Sequence, residues 1–133
     1  MPKKYTNPAG VSKPVGFTHV VEATGATRLI YVAGQTAADA DGNVVGVGDF
    51  KAQVQQVYEN VKTCLESHGA SFADVVKTTT FIVNYDAAVH RPVLTEIRTQ
   101  YMPAENPPAS TLLGVQGLAR PEFLVEVEAI AVT

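Results

Sequence analysis

At 133 residues the chain can close one hydrophobic core and is read as a single domain over residues 1–133. A net charge of −3 supplies no positive field for gripping phosphates, which argues against a general nucleic-acid binder, and a lone cysteine excludes an internal disulfide and fits a reducing compartment. No apolar run is long enough to span a bilayer, and none follows Lys3 and Lys4 as a secretory signal requires, so a cytoplasmic domain without membrane contact is expected.

Residues 1–16, rich in Pro, Gly and Lys, read as an irregular lead-in. Phe17–Ala23 (FTHVVEA) reads as a first strand, Thr24–Thr27 as a turn, and Arg28–Ala33 as a second strand of β-branched and aromatic residues ended by Gly34. Asp41–Gly42–Asn43 is a turn signal; Asp39 and Asp41 begin like a calcium loop, but the later ligand positions do not follow, which leaves a solvated turn. The spacing of Phe50, Val54, Val57, Tyr58, Val61, Cys64 and Leu65 predicts a helix from about Asp49 to Ser67, with Asp49 as N-cap and Gly69 as terminator. Cys64 lies in that stripe and is expected as a core thiol, with His68 on the surface at the helix end.

Val75–Asn84 (VVKTTTFIVN) is β-prone. Asp86 then caps a second helix to about Tyr101, with Val89, Val93, Leu94, Ile97 and Tyr101 at helical spacing. Ser110–Gln116 and Phe123–Val132 are the last two strands, and the short link Gly117–Glu122 predicts an antiparallel hairpin between them. The order is ββαβαββ, an α+β fold: a mixed sheet with two helices on one face.

Along the last strand, Phe123, Val125, Val127, Ala129 and Ala131 alternate onto a wholly apolar row, which should meet the helices. The other row carries Leu124, Glu126, Glu128, Ile130 and Val132, joined by Leu112 if the hairpin forms. An apolar sheet face with nothing in the chain to cover it favours association with other copies. Glu126 and Glu128, roughly 7 Å apart by strand rise, would then sit at a subunit junction, either as an acid/base pair or as hydrogen-bond acceptors across a seam. No serine elbow, metal-ligand spacing or phosphate-binding fingerprint is present, and His19 reads as a structural histidine in its strand.

The ending LVEVEAIAV, the AGQT at Ala33–Thr36, the helical ENVKTCLESHGAS and the strand DVVKTTTFIVN resemble, in order, the landmarks of the Rid family, also called YjgF or reactive-intermediate deaminases. The resemblance covers about residues 14–132. It implies a chorismate-mutase-like fold, a homotrimer with clefts between subunits, and hydrolysis of small imines or enamines to keto acids and ammonia without metal or organic cofactor. It also implies that Glu126 positions or activates water, that Gly34 offers backbone contact, and that Phe17 lines the cleft where the deaminases usually carry tyrosine.

One departure is large. Pro108–Ala109–Ser110–Thr111 stands where the deaminases have Pro-Ala-Arg-Ser/Thr, so Ser110 replaces the arginine that grips the substrate carboxylate. Arg91, beside His90, falls near a position where family members often place a cleft-facing asparagine; both also read as solvated helix-start residues. Arg120 belongs to the predicted hairpin turn, where a surface or intersubunit salt bridge suits it. The leading reading is an enzyme on a small reactive imine, enamine or related carbonyl compound, a hydrolase or tautomerase. Glu126 would be its base; Ser110, Thr111 and Gly34 would donate or accept hydrogen bonds, and Phe17 and Leu112 would form an apolar wall. The alternatives are a non-catalytic trimeric module that binds a metabolite or protein and, against the charge balance, a ribonuclease or translation inhibitor.

Overall fold

The computed structural model describes residues 2–133. Six strands and two helices follow in the order β1 (Lys3–Thr6), β2 (Val20–Ala23), β3 (Leu29–Gln35), α1 (Phe50–Glu66), β4 (Val75–Val83), α2 (Ala87–Arg98), β5 (Ala109–Val115) and β6 (Val125–Val132). The lead-in is thus less irregular than its composition suggests, because Lys3–Thr6 pairs antiparallel with Val20–Ala23 in a separate two-stranded ribbon. The main sheet has four strands in the order β3-β6-β4-β5.

That order overturns the predicted hairpin. β5 runs parallel to β4, while β6 inserts between β3 and β4, antiparallel to both. The reason is burial. Val125, Val127, Ala129 and Ala131 are at most 2 % exposed, so β6 gains most from the sheet centre, flanked on both sides. β5, largely exposed and preceded by Pro107 and Pro108, suits an edge. The loop from Gln116 to Leu124 has ample reach to cross β4.

α1 forms as its periodicity predicts. The Asp49 carboxylate accepts the Ala52 amide at 3.1 Å, Val54, Val57, Val61 and Leu65 are fully buried, and Gly69 at φ +70° ends the helix in the left-handed conformation. Cys64 lies at the rim of the core rather than inside it. α2 starts at its Asp86 cap but stops at Arg98, a turn short of Tyr101; Leu94 and Ile97 face the core, whereas Val89 is exposed.

Gln53 is a buried polar residue of α1 whose amide is fully used. Its nitrogen donates to the carbonyls of Gly46 and Glu122 (3.1 and 2.8 Å), and its oxygen accepts the Leu124 amide (2.9 Å). One side chain therefore ties the loop before α1 and the approach to β6 to the helix between them.

Tyr58, Phe72 and Tyr101 form an aromatic cluster with centroids 5.4 to 5.9 Å apart. Burial pushes the Tyr58 phenol up to about 12, with the Arg98 guanidinium pulling the other way. Tyr101 is likewise pushed up to about 12 by burial and by its 2.6 Å hydrogen bond to Glu59, against an opposing bond from Gln55. A raised phenol favours the protonated fold, so this stability is fully present below pH 10 and is lost as pH rises from 10 toward 12. For Tyr58 the loss amounts to roughly 2–3 kcal/mol, since each unit of displacement corresponds to about 1.4 kcal/mol. Urea midpoints taken between pH 9 and pH 12 should fall steeply for the wild type and less steeply for Tyr58→Phe; parallel curves would disprove the coupling.

Candidate functional site

The apolar row of β6 faces the helices, and the opposite face of the sheet is open. Leu29 and Tyr31 of β3 are 56 % and 71 % exposed there, beside Ile130 of β6, so a bare apolar face is real in the single chain. Glu126 and Glu128 both point to it. Row by row, Glu128 meets Thr79 and then Thr111, and Glu126 meets Phe81 and then Leu113.

Two bulges shape this face. In β3, Ala33 and Gly34 together stand opposite Glu128, between the Val32–Ala129 and Gln35–Val127 pairs. The extra residue swings the Gly34 backbone over the neighbouring carboxylate, and a Cβ on Gly34 would overlap the Glu126 side chain. A side chain at this position would therefore displace the Glu126 carboxylate, although the backbone angle itself is open to any residue. In β4, Val76 is the extra residue, and the shift turns Lys77 onto the open face, where its ammonium donates to the Thr111 hydroxyl at 2.7 Å. Lys77, Thr79, Glu128 and Tyr31 line a cavity of about 490 Å³ on that face.

The expected site residues divide between the two sides of the sheet. Thr111 shares the open face with Glu126 and Gly34. Ser110 pairs with buried Thr78 and Leu112 with buried Thr80, so both turn toward the helix side. The expectation that Leu112 shares the open face is therefore corrected: it rested on the β5–β6 hairpin, and pairing with β4 instead reverses the side. Ser110 and Glu126 lie two strands and three rows apart, with Cα atoms about 14 Å apart by strand geometry. One copy of the chain does not bring them together.

Phe17 lies at the start of β5, not over Glu126. The Thr18 hydroxyl and amide donate to the carbonyls of Pro107 and Pro108 (2.5 and 3.2 Å), pinning the aromatic strap two residues ahead of Ser110. Phe17 stacks edge-on with His19, whose Nε2 lies 2.7 Å from the Ser12 carbonyl, so His19 is structural. Arg91 is exposed on α2. His90 is occupied, its Nδ1 accepting the Asp86 amide at 2.9 Å and its ring packed on Phe50 and Tyr85. Arg120 donates to the Gly42 carbonyl (2.8 Å) and lies over Phe123, and it pairs with no carboxylate of its own chain among the described residues. The Asp39 carboxylate accepts the amides of Asp41 and Asn43, a closed turn rather than an ion loop, and no metal-holding cluster exists among the described residues.

Reading single residues missed Lys77, which gave no signal because the bulge that turns it outward follows from pairing with β6.

An open, acid-bearing sheet face backed by two helices defines the α+β class to which the reactive-intermediate deaminases belong. Residues 11–133 match the family model described as endoribonuclease L-PSP, and the chain belongs to this Rid/YjgF family. It is 33 % identical over 131 residues to the 3-aminoacrylate deaminase RutC of Acinetobacter baylyi, covering 98 % of each chain. Among solved structures it resembles the Rid-family protein YyfB of Yersinia pestis, described as of unknown function (39 % identity, all of both chains, TM-score 0.91). RidA from the Antarctic bacterium Psychrobacter sp. is similar as well (26 % identity, 92 % of each chain, TM-score 0.69). No helix among the described residues is long and apolar enough to cross a membrane.

Proposed function

We propose that this protein is a cofactor-free deaminase-type hydrolase of small imines or enamines, working in a cleft that copies of the chain complete as a trimer. The observation that carries this reading is the Glu126 carboxylate seated on the Gly34 backbone on an uncovered apolar face. Glu126 takes a proton from water, whose oxygen bonds to the C=N carbon. The protonated Glu126 returns that proton to the nitrogen, the hydroxyl of the resulting carbinolamine passes its own proton to the amine, and the C–N bond breaks to release ammonia as the carbonyl forms. An enamine first adds a proton at carbon to reach the imine. The Thr111 hydroxyl, held by Lys77, supplies a hydrogen bond on the same face. Similarity to a deaminase of 3-aminoacrylate, an enamine acid, supports the class.

The division of Ser110 and Phe17 from Glu126 supports the assembly: within one chain they cannot contact one small ligand, whereas the strap of one copy against the open face of another could. Sedimentation velocity should give a trimer, and ammonia release from an imine generated in the cuvette should exceed the buffer rate. A stable monomer without acceleration would defeat the proposal. Ser110 favours one rival, a binding module, because a hydroxyl lacks the arginine fork; tight binding of a keto acid with no turnover of any imine would establish it.

A further inference from the structure

The four strands of the main sheet carry three charged side chains, Lys77, Glu126 and Glu128. All three stand on the open face, among the apolar side chains of Leu29, Tyr31 and Ile130. Glu126 is turned to Gly34. That leaves one cation and one anion, Lys77 and Glu128, which both line the cavity of about 490 Å³.

The chain brings these two close without joining them. Lys77 pairs with Ile130 and Thr79 with Glu128, so Lys77 and Glu128 are diagonal neighbours, about 7–8 Å apart and within reach of long side chains. The Lys77 ammonium nevertheless reaches the other way, to Thr111 on β5, and the ion pairs among the described residues are Lys51–Glu96 and Lys62–Glu66. In the single chain water solvates the face, and an ion pair there would contribute little. Covering the face removes that water, and a buried charge without a partner is costly. Whatever covers it must therefore offer an anion to Lys77 and a cation to Glu128, side by side. A second copy of this chain carries both at that spacing, so the face is complementary to itself in charge as well as in apolar surface.

We infer that Lys77 of one copy pairs with Glu128 of the next, and that these pairs set the register in which the open faces meet. This rests on the reading of the site as a cleft completed by a trimer, and it names the charges that join the copies. In a closed ring each seam carries one pair. The pairing also serves the site. Glu128 stands two residues from Glu126 on β6, roughly 7 Å away, and an ammonium beside it leaves Glu126 as the free carboxylate of the junction.

The test follows the intact protein by sedimentation velocity. Glu128→Lys, which sets ammonium against ammonium, should raise the dissociation constant of the assembly tenfold or more. Glu128→Gln keeps an oxygen for the ammonium and should weaken the assembly less. The exchanged variant Lys77→Glu/Glu128→Lys should return to within threefold of the wild type. A second measurement needs no variant. A carbodiimide joins an amine to a carboxylate in direct contact, so wild-type protein assembled from unlabelled and isotope-labelled chains is treated with it and digested. Lys77 and Glu128 peptides joined across the two labels support pairing between copies. The same peptides joined only within one label, or not joined at all, refute it, as does an exchanged variant that folds but stays dissociated. A monomeric wild type refutes it too. Should the exchange restore assembly while the wild type hydrolyses no imine, the pairing stands and the deaminase reading falls. Should a trimer hydrolyse imines without that cross-link, the reverse holds.

Discussion

Glu126→Gln should reduce imine hydrolysis by at least about 100-fold while leaving the fold and the assembly unchanged. The amide nearly conserves the shape of the side chain but takes no proton, and general-base catalysis contributes about 10² to 10⁴ in rate. The loss should appear in kcat, because the uncharged substrate carbon gains little from the carboxylate before water attacks. Gly34→Ala makes a partner experiment: its methyl would overlap the Glu126 carboxylate, so the base must move. A displacement of about 1 Å can cost about 100-fold, so the two variants should be similarly impaired and their effects should not add when combined. Glu128→Gln serves as the contrast, since Glu128 is exposed and the side chain that lies against Gly34 is that of Glu126. Full activity in Glu126→Gln would remove the base from the mechanism, and equal loss in both glutamate variants would point to general electrostatics of the face.

The largest stability effect is expected at Gln53. Gln53→Leu keeps most of the volume but strands the carbonyls of Gly46 and Glu122 and the amide of Leu124. At about 1 kcal/mol or more for each buried group left unpaired, the loss should total roughly 3–4 kcal/mol, enough to lower Tm by about 10 °C. The comparison belongs at one protein concentration, because association adds to apparent stability. The damage should also reach the site: Leu124 leads into β6, so the strand bearing Glu126 loses an anchor. A Tm within 2 °C of wild type would mean that water replaces the amide.

Much of this architecture was legible residue by residue. The α1 stripe from Val54 to Leu65, the Asp49 and Asp86 caps and the Gly69 terminator are local signals, and each local preference agrees with the final structure. The burial of Val125, Val127, Ala129 and Ala131 follows from strict alternation in β6, as does the projection of both glutamates to the opposite face. Gly34, expected to end the second strand, instead lies inside β3, at a bulge and in close approach to the Glu126 side chain. By contrast, Lys3–Thr6 carries no pattern of its own and becomes a strand only because β2 lies beside it.

The amino-acid sequence by itself determined most of the element types and the acidic row on an uncovered face, because periodicity, capping and residue chemistry act over a few neighbouring positions. Only the tertiary structure decided that β6 enters the sheet between β3 and β4, that Ser110 and Leu112 turn away from Glu126, and that Lys77 turns onto the open face beside Thr111. Strand pairing is chosen by the total area removed from water across the whole sheet, and shifting a partner by one residue reverses every side chain. No short stretch of sequence contains that sum.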